Sequence, residues 1–132
     1  MDIIADAFTI IRNAYRAKKE ETTIPYSKVL LNIVELLKKE GYIENYKEFE
    51  ISSLKKKIKT IKVYLKYNNK IPALSGIRRV SKQSQRVYLG YKEIKPILNG
   101  YGIGIFSTTQ GILTDKEAKE KKVGGELIGI VF

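Results

Sequence analysis

The 132-residue chain contains no cysteine and no histidine. These absences remove disulfides, thiolate metal sites, the commonest general base and the strongest side-chain nucleophile. Catalysis would rest on carboxylate, lysine, tyrosine and hydroxyl groups alone. The motifs that organise such groups, a Walker loop, a GxSxG elbow or an acidic metal cluster, are also missing. The sequence therefore reads as non-enzymatic, with no cofactor, no catalytic residue and no metal site. No apolar run reaches the length that spans a bilayer. The start, Met1 to Asp6, is acidic and amphipathic, whereas a secretory leader opens with positive charge and then runs apolar. The expectation is a protein that stays in the compartment where it is made, with no membrane partner.

The most informative absence is local. Between Glu50 and Glu93 there is no acidic residue, while that interval carries Lys55, Lys56, Lys57, Lys59, Lys62, Lys66, Lys70, Arg78, Arg79, Lys82, Arg86 and Lys92. These are 12 of the 25 basic residues, and the other 13 face all 14 acids, so the net charge of +11 is concentrated in one third of the chain. Individual lysines are ordinarily solvated surface, but soluble surfaces usually mix signs. A one-signed block points to a polyanion, for which nucleic acid is the usual candidate. An anionic membrane would call for a basic amphipathic helix, and this block alternates like strands.

Hydrophobic residues make up 43% and aromatic residues 10%, a globular composition. Ile3, Ile4, Ala7, Phe8, Ile11, Ala14 and Tyr15 recur at helical spacing and predict a helix over residues 2–18. Thr22 to Pro25 is short and extended. Ser27 is a good N-cap for a second helix through Glu40, with Leu30, Ile33, Val34 and Leu37 as its stripe and Gly41 as its stop. Tyr42 to Ile51 and Ile58 to Tyr67 read as strands joined by a turn at Ser52 to Lys57. Asn68 to Pro72 is the strongest break. Beyond it, Ser75 to Val80 and Gln85 to Leu89 look like a strand pair, Tyr91 to Asn99 like a short helical turn, and Ile103 to Phe106 like a glycine-rich strand. Thr114-Asp115-Lys116-Glu117 is a capping box that opens a short helix, and Glu126 to Phe132 is a final strand. The fold class is α+β in two small domains. Residues 1–69 form an α-β-α-β-β unit, and residues 70–132 form a mostly antiparallel β domain with short helices.

Against this layout, several stretches share a source. DAFTIIRNA at Asp6 to Ala14, Ser27-Lys28, and Lys39 to Ile43 resemble the first half of the small ribosomal subunit protein eight family. RRVSK at residues 78–82 and RVY at residues 86–88 resemble its middle. NGYGIGIFSTTQGILTDKEAKEKKVGGE resembles its closing signature: glycine-rich strand, Ser-Thr-Ser-type loop, Thr-Asp-(Lys/Arg)-Glu-Ala, Val-Gly-Gly-Glu. The motifs occur in order along nearly the whole length.

The resemblance implies a structural constituent of the small ribosomal subunit. Such a protein binds the central domain of 16S-type rRNA early in assembly of the platform. It is a monomer when free, contacts neighbouring ribosomal proteins, and in bacteria often represses its own operon mRNA. It also implies a bacterial cytoplasmic ribosome, with a plastid ribosome as the alternative, since the composition suggests an A+T-rich genome. Ser107, Thr108 and Thr109 are the implied reading loop, because small hydroxyls and loop amides approach bulged RNA closely where lysines cannot. The same residues also suit a plain polar turn. Gly124 and Gly125 either stop a helix or leave room for RNA backbone. Glu126 either orients a loop hydroxyl or accepts from a base amino group, or merely opens a strand. Tyr88 either stacks on a base or packs on a strand. Arg86 and Lys82 are phosphate candidates, with solvated surface as the alternative. Lys28, at a helix start, either meets phosphate or is an exposed first-turn lysine. Arg12 either reaches RNA or only flanks the first helix. Three departures from the family stand out: Gln83-Ser84 in place of Pro-Gly, Thr109 in place of the third serine, and Gly129-Ile130-Val131-Phe132 in place of Cys-Tyr-Val-Trp. Two alternative readings stay open: a general nucleic-acid-binding or architectural protein, and an RNA-modifying enzyme, which would need a pocket and a cofactor site that the sequence does not show.

Overall fold

The structure, a computed structural model, describes residues 2–132. It divides into two compact units, Asp6–Leu74 and Ser75–Phe132, the latter including residues 2–5. Both are mixtures of helix and antiparallel sheet, the α+β class expected from the alternating periodicities.

In the first unit, α1 (Ile3–Arg16) buries Ala7, Phe8, Ile11, Ala14 and Tyr15, the stripe its spacing dictates. It closes with Lys18 in the left-handed region, φ 56°, and a 3.0 Å bond from the Lys19 amide to the Ala14 carbonyl. A lysine thus takes the place that glycine usually fills at a helix end. β1 (Glu21–Pro25) follows. α2 (Lys28–Lys39) starts where the Ser27 hydroxyl accepts from the Leu30 amide at 3.0 Å, and Gly41, φ +83°, ends it. β2 (Ile43–Ser53) and β3 (Lys56–Leu65) form a long hairpin, and the sheet order is β1-β3-β2. Ile24, Ile43, Ile61, Val63 and Leu65 are buried on its helix-covered face. The buried Tyr15 hydroxyl donates to the Tyr42 carbonyl at 2.6 Å and accepts from the Lys66 amide at 3.1 Å. Burial pushes its pKa up to about 12.

Two turns differ from expectation. The ladder of the β2–β3 hairpin continues through Ser53 opposite Lys56, so the link is Leu54-Lys55 rather than Ser52 to Lys57. Exposed lysines are compatible with a two-stranded ladder, so a lysine cluster did not mark its end. The break at Asn68 to Pro72 is a small hairpin of its own. β4 (Tyr67–Asn68) pairs with β5 (Ile71–Pro72) around Asn69 and Lys70, both in the left-handed region. This is the backbone a tight two-residue hairpin requires.

The second unit is built on β10 (Gly125–Val131). On one side lies β8 (Ile103–Thr108), followed by β9 (Gly111–Thr114). On the other side lie β6 (Ile77–Arg79) and β7 (Tyr88–Leu89). The expected pairing of the Ser75–Val80 and Gln85–Leu89 runs with each other is therefore corrected. Both runs pair with β10, one beyond the other. Only Lys82 and Gln85 face each other, in a turn that bulges out between them. A partner 36 to 54 residues along the chain is invisible to a local reading. β9 was not foreseen, since it is four residues that run straight into a helix cap. The Tyr91 to Asn99 segment is two 3₁₀ turns, and Leu98 and Asn99 in the second are left-handed.

α3 (Asp115–Glu120) carries the capping box as read. The Thr114 hydroxyl accepts from the Glu117 amide at 3.1 Å, and the Glu117 carboxylate accepts from the Thr114 amide at 3.2 Å. Ile94, Phe106, Leu113, Ala118 and Leu127 form the core between α3 and one face of the sheet. The Asp2 carboxylate accepts from the amides of Ile4 and Ala5 and from Arg79 Nε at 3.1 Å. Burial works to raise its pKa, but the Ala5 amide and the Arg79 guanidinium outweigh that and hold it below the ordinary value.

Candidate nucleic-acid interface

The site is one row of cross-strand neighbours. Tyr88 on β7 lies opposite Glu126 on β10, Glu126 lies opposite Ser107 on β8, and Ser107 lies opposite Ile112 on β9. Directly opposed residues of antiparallel strands share a face. The next row, Leu127, Phe106 and Leu113, points into the core. Tyr88, Glu126 and Ser107 therefore share the face away from α3. Tyr88 is 67% exposed there. An exposed aromatic, a carboxylate and a small hydroxyl thus stand side by side on a rigid sheet.

The Glu126 carboxylate is held from beneath. Its Oε2 accepts from the Ser81 hydroxyl at 2.5 Å and from Arg86 at 2.9 Å. Ser81 is fully buried, and its oxygen also accepts from the Val87 amide at 3.1 Å. The bond from Ser81, together with Arg86, holds the Glu126 pKa below the ordinary carboxylate value. The carboxylate is thus ionised and fixed, with Oε1 left as an acceptor. Arg86 is tied to this carboxylate rather than standing as a loose cation. Ser81 was not foreseen. In sequence it lies just past the Ser75–Val80 run, where no local signal announces a buried hydroxyl.

The three-residue loop divides by role. Ser107 and Thr108 lie on β8 rather than in a loop. The Thr108 hydroxyl donates to the Gly111 carbonyl at 2.9 Å and accepts from the Gln110 amide at 3.1 Å, so it closes the β8–β9 turn. Thr109 is at the tip and exposed. Among the described residues, neither Ser107 nor Thr109 makes a side-chain hydrogen bond within the chain. These two hydroxyls are available to a ligand, whereas that of Thr108 is largely engaged.

Gly124 and Gly125 are explained internally. A Cβ on Gly124 would overlap the Leu89 carbonyl and lie 2.8 Å from Gly90 Cα, and one on Gly125 would overlap the Ser107 carbonyl. They let β7 and β8 close on β10, which sets the Tyr88–Glu126–Ser107 row. Lys82 is exposed at the turn, where its amide and carbonyl exchange 3.0 Å bonds with Gln85. Neither Gln83 nor Ser84 is left-handed, so this turn works without a Pro-Gly. Lys28, in the first turn of α2, and Arg12, on α1, belong to the other unit. No cluster of metal-ligating side chains occurs among the described residues.

Set beside known proteins, the sheet and its signature fall in one family. The family model described as Ribosomal protein S8 matches residues 2–132. A relative named small ribosomal subunit protein uS8 from Petrotoga mobilis is 47% identical over 99% of this chain and 98% of its own length. Its namesake from Geobacillus stearothermophilus is 43% identical over 99% and 97%. That from Spiroplasma kunkelii is 46% identical over 100% and 98%. The chain belongs to the ribosomal protein S8 family. It is a structural protein of the small ribosomal subunit and not an enzyme.

Proposed function

We propose that this protein binds the central domain of 16S-type rRNA through the outer face of its C-terminal sheet and helps to build the subunit platform early in assembly. The observation that carries the reading is the row of Tyr88, Glu126 and Ser107, fixed by backbone pairing and left open to a ligand. Ser107 and Thr109 offer small hydroxyls to base edges and 2′-hydroxyls exposed at an irregular RNA helix. Glu126 Oε1 accepts from a base amino group, a pairing that suits cytosine or adenine better than phosphate. Tyr88 offers a ring for stacking on a base or ribose. Lys82, with Lys28 and Arg12 from the other unit, meets phosphate. Phosphate contacts position the protein, and the sheet row specifies the site.

The free protein is a monomer, works in the ribosome of a bacterial cytoplasm beside other small-subunit proteins, and represses its own operon mRNA where that RNA copies the rRNA fold. The test is a filter-binding titration at two salt concentrations, with a 16S rRNA central-domain fragment against duplex DNA of equal length. Selective binding that persists at the higher salt supports the proposal. Equal binding that collapses with salt makes the protein a general nucleic-acid binder instead. Ser107→Ala should weaken the rRNA complex by about 1–3 kcal/mol with an unchanged salt slope.

A further inference from the structure

The outer half of the β2–β3 hairpin has no evident role in the fold. β1 covers β3 only from Thr60 to Tyr64. Beyond that, Lys56 to Lys59 of β3 are exposed on both faces, and their partners in β2 have no third strand. Ile51 and Ile58 are paired across the ribbon and half exposed, and Leu54 at the turn is completely exposed. A two-stranded ribbon standing clear of a core is at best marginally stable by itself. A ribbon selected only for solubility would not place three large aliphatic side chains in water.

The charge at the end of the ribbon is mostly positive. Lys55, Lys56, Lys57 and Lys59 crowd the end of the ribbon. On the outer face the apolar pair gives way to Phe49 and then to a groove lined by Lys47, Phe49, Lys62 and Tyr64. The acids of this part of β2, Glu48 and Glu50, lie in the rows of Ile61 and Lys59, on the opposite face. Lys59 reaches Glu48 at 3.6 Å there. The outer face therefore combines aliphatic and aromatic surface with ammonium groups, of which Lys62 meets the Glu21 carboxylate of β1 at 3.2 Å, and its tip is narrow.

We propose that this ribbon is a second RNA contact, independent of the β8–β10 row. Lysines at the tip hold phosphates on either side of a groove, and Leu54 with the Ile51–Ile58 pair lies against sugars and base edges. The deep, narrow major groove of A-form RNA excludes such a ribbon, whereas the wide, shallow minor groove or a bulge admits it. Apolar wedges flanked by cations are a known means of entering a minor groove. The inference rests on the proposed rRNA binding and adds a second attachment point to it.

The test uses full-length protein and a transcript of complete bacterial 16S rRNA. A photo-crosslinking amino acid is placed at position 54 in one sample and at position 109 in another. Crosslinks from position 54 to nucleotides distinct from those reached from position 109 support the second contact. Lys55→Gln with Lys57→Gln should lower the salt slope by about two and weaken binding about tenfold at moderate salt. Leu54→Ser should weaken binding about threefold without changing the slope, and neither variant should shift thermal unfolding, since these side chains are exposed. Crosslinking from position 109 alone, with ribbon variants binding like wild type, overturns the second contact and leaves the sheet site standing. Crosslinking from position 54 to a ribosomal protein in reconstituted subunits also overturns it. If wild type shows no preference for 16S rRNA over duplex DNA, the proposed function fails and this inference fails with it.

Discussion

Replacing Ser81 by alanine should separate the support of the site from the site itself. Ser81 is fully buried and makes two bonds, donating to Glu126 at 2.5 Å and accepting from the Val87 amide at 3.1 Å. A hydrogen bond to a charged group contributes about 1.5–3 kcal/mol, and a buried amide left without a partner costs about 1–3 kcal/mol. Glu126 retains Arg86 and is partly open to water, so it is not stranded. That discount brings the expected loss to about 2–4 kcal/mol. The assay is denaturant unfolding at neutral pH, read as a lower midpoint with unchanged slope. NMR titration of Glu126 supplies a second readout. The bond from Ser81 is the first cause of its lowered pKa, so in the variant the pKa should rise toward the ordinary value. Ser107→Ala, which removes no intrachain bond, should leave stability within about 0.5 kcal/mol. If Ser81→Ala unfolds like wild type, or Glu126 titrates as before, the buried serine does not hold the carboxylate and the proposed support is wrong.

Two glycines offer a contrast. Gly125→Ala should cost about 3 kcal/mol, because its Cβ meets the Ser107 carbonyl, while Gly111→Ala should cost about 1–2 kcal/mol, because φ +105° is strained but the space is open; unfolding midpoints of both variants check the order. Asp2 and Glu126 both have lowered pKa values, so their stabilisation is complete above the ordinary carboxylate pKa and is lost as pH falls through the lower folded values. Arg79→Gln should flatten the Asp2 share of that acid limb, measured as urea midpoints from about pH 7 to about pH 3. Lys82→Gln should lower the salt slope for rRNA by about one without changing the preference over duplex DNA.

The elements that could be read from sequence were those whose signal is local. The stripes of α1 and α2 and the Ser27 cap repeat within a few residues, and the Thr114–Glu117 box is a reciprocal pair three apart. The pairing of β6 and β7 was not legible, because their partner β10 lies far along the chain and the nearest extended run was the natural guess. The same distance hid Ser81, whose acceptor Glu126 is 45 residues away. The candidate site could be named from sequence only as a list of residues, and its arrangement came from the structure. Ser107, Glu126 and Tyr88 come from three separated segments, and only the β10 register makes them one row. Thr108 could not be told from its neighbours, since whether a hydroxyl is engaged depends on how the Gln110–Gly111 turn closes.

The charge of the chain takes a different meaning once the acids are placed in space. The stretch between Glu50 and Glu93 has no acid in sequence, yet Lys59, Lys62, Arg79 and Arg86 are paired with Glu48, Glu21, Asp2 and Glu126. At least four of its twelve cations are thus engaged by acids from outside the block. With each phosphate contact adding about 0.9 to the salt slope, all twelve cations would give a slope of about 11, and these pairings hold the block's contribution below that. The four engaged cations differ in kind. Those with Glu48 and Glu21 are exposed and weak, and phosphate could draw the lysines away. Arg79 also donates to the Ile128 carbonyl at 2.8 Å, and Arg86 helps to hold the carboxylate of the sheet row. Recruiting either to phosphate would loosen β10 or Glu126. The arginines nearest the candidate site therefore serve the geometry of the sheet row, and under the proposed function the attraction to an RNA backbone falls to the lysines.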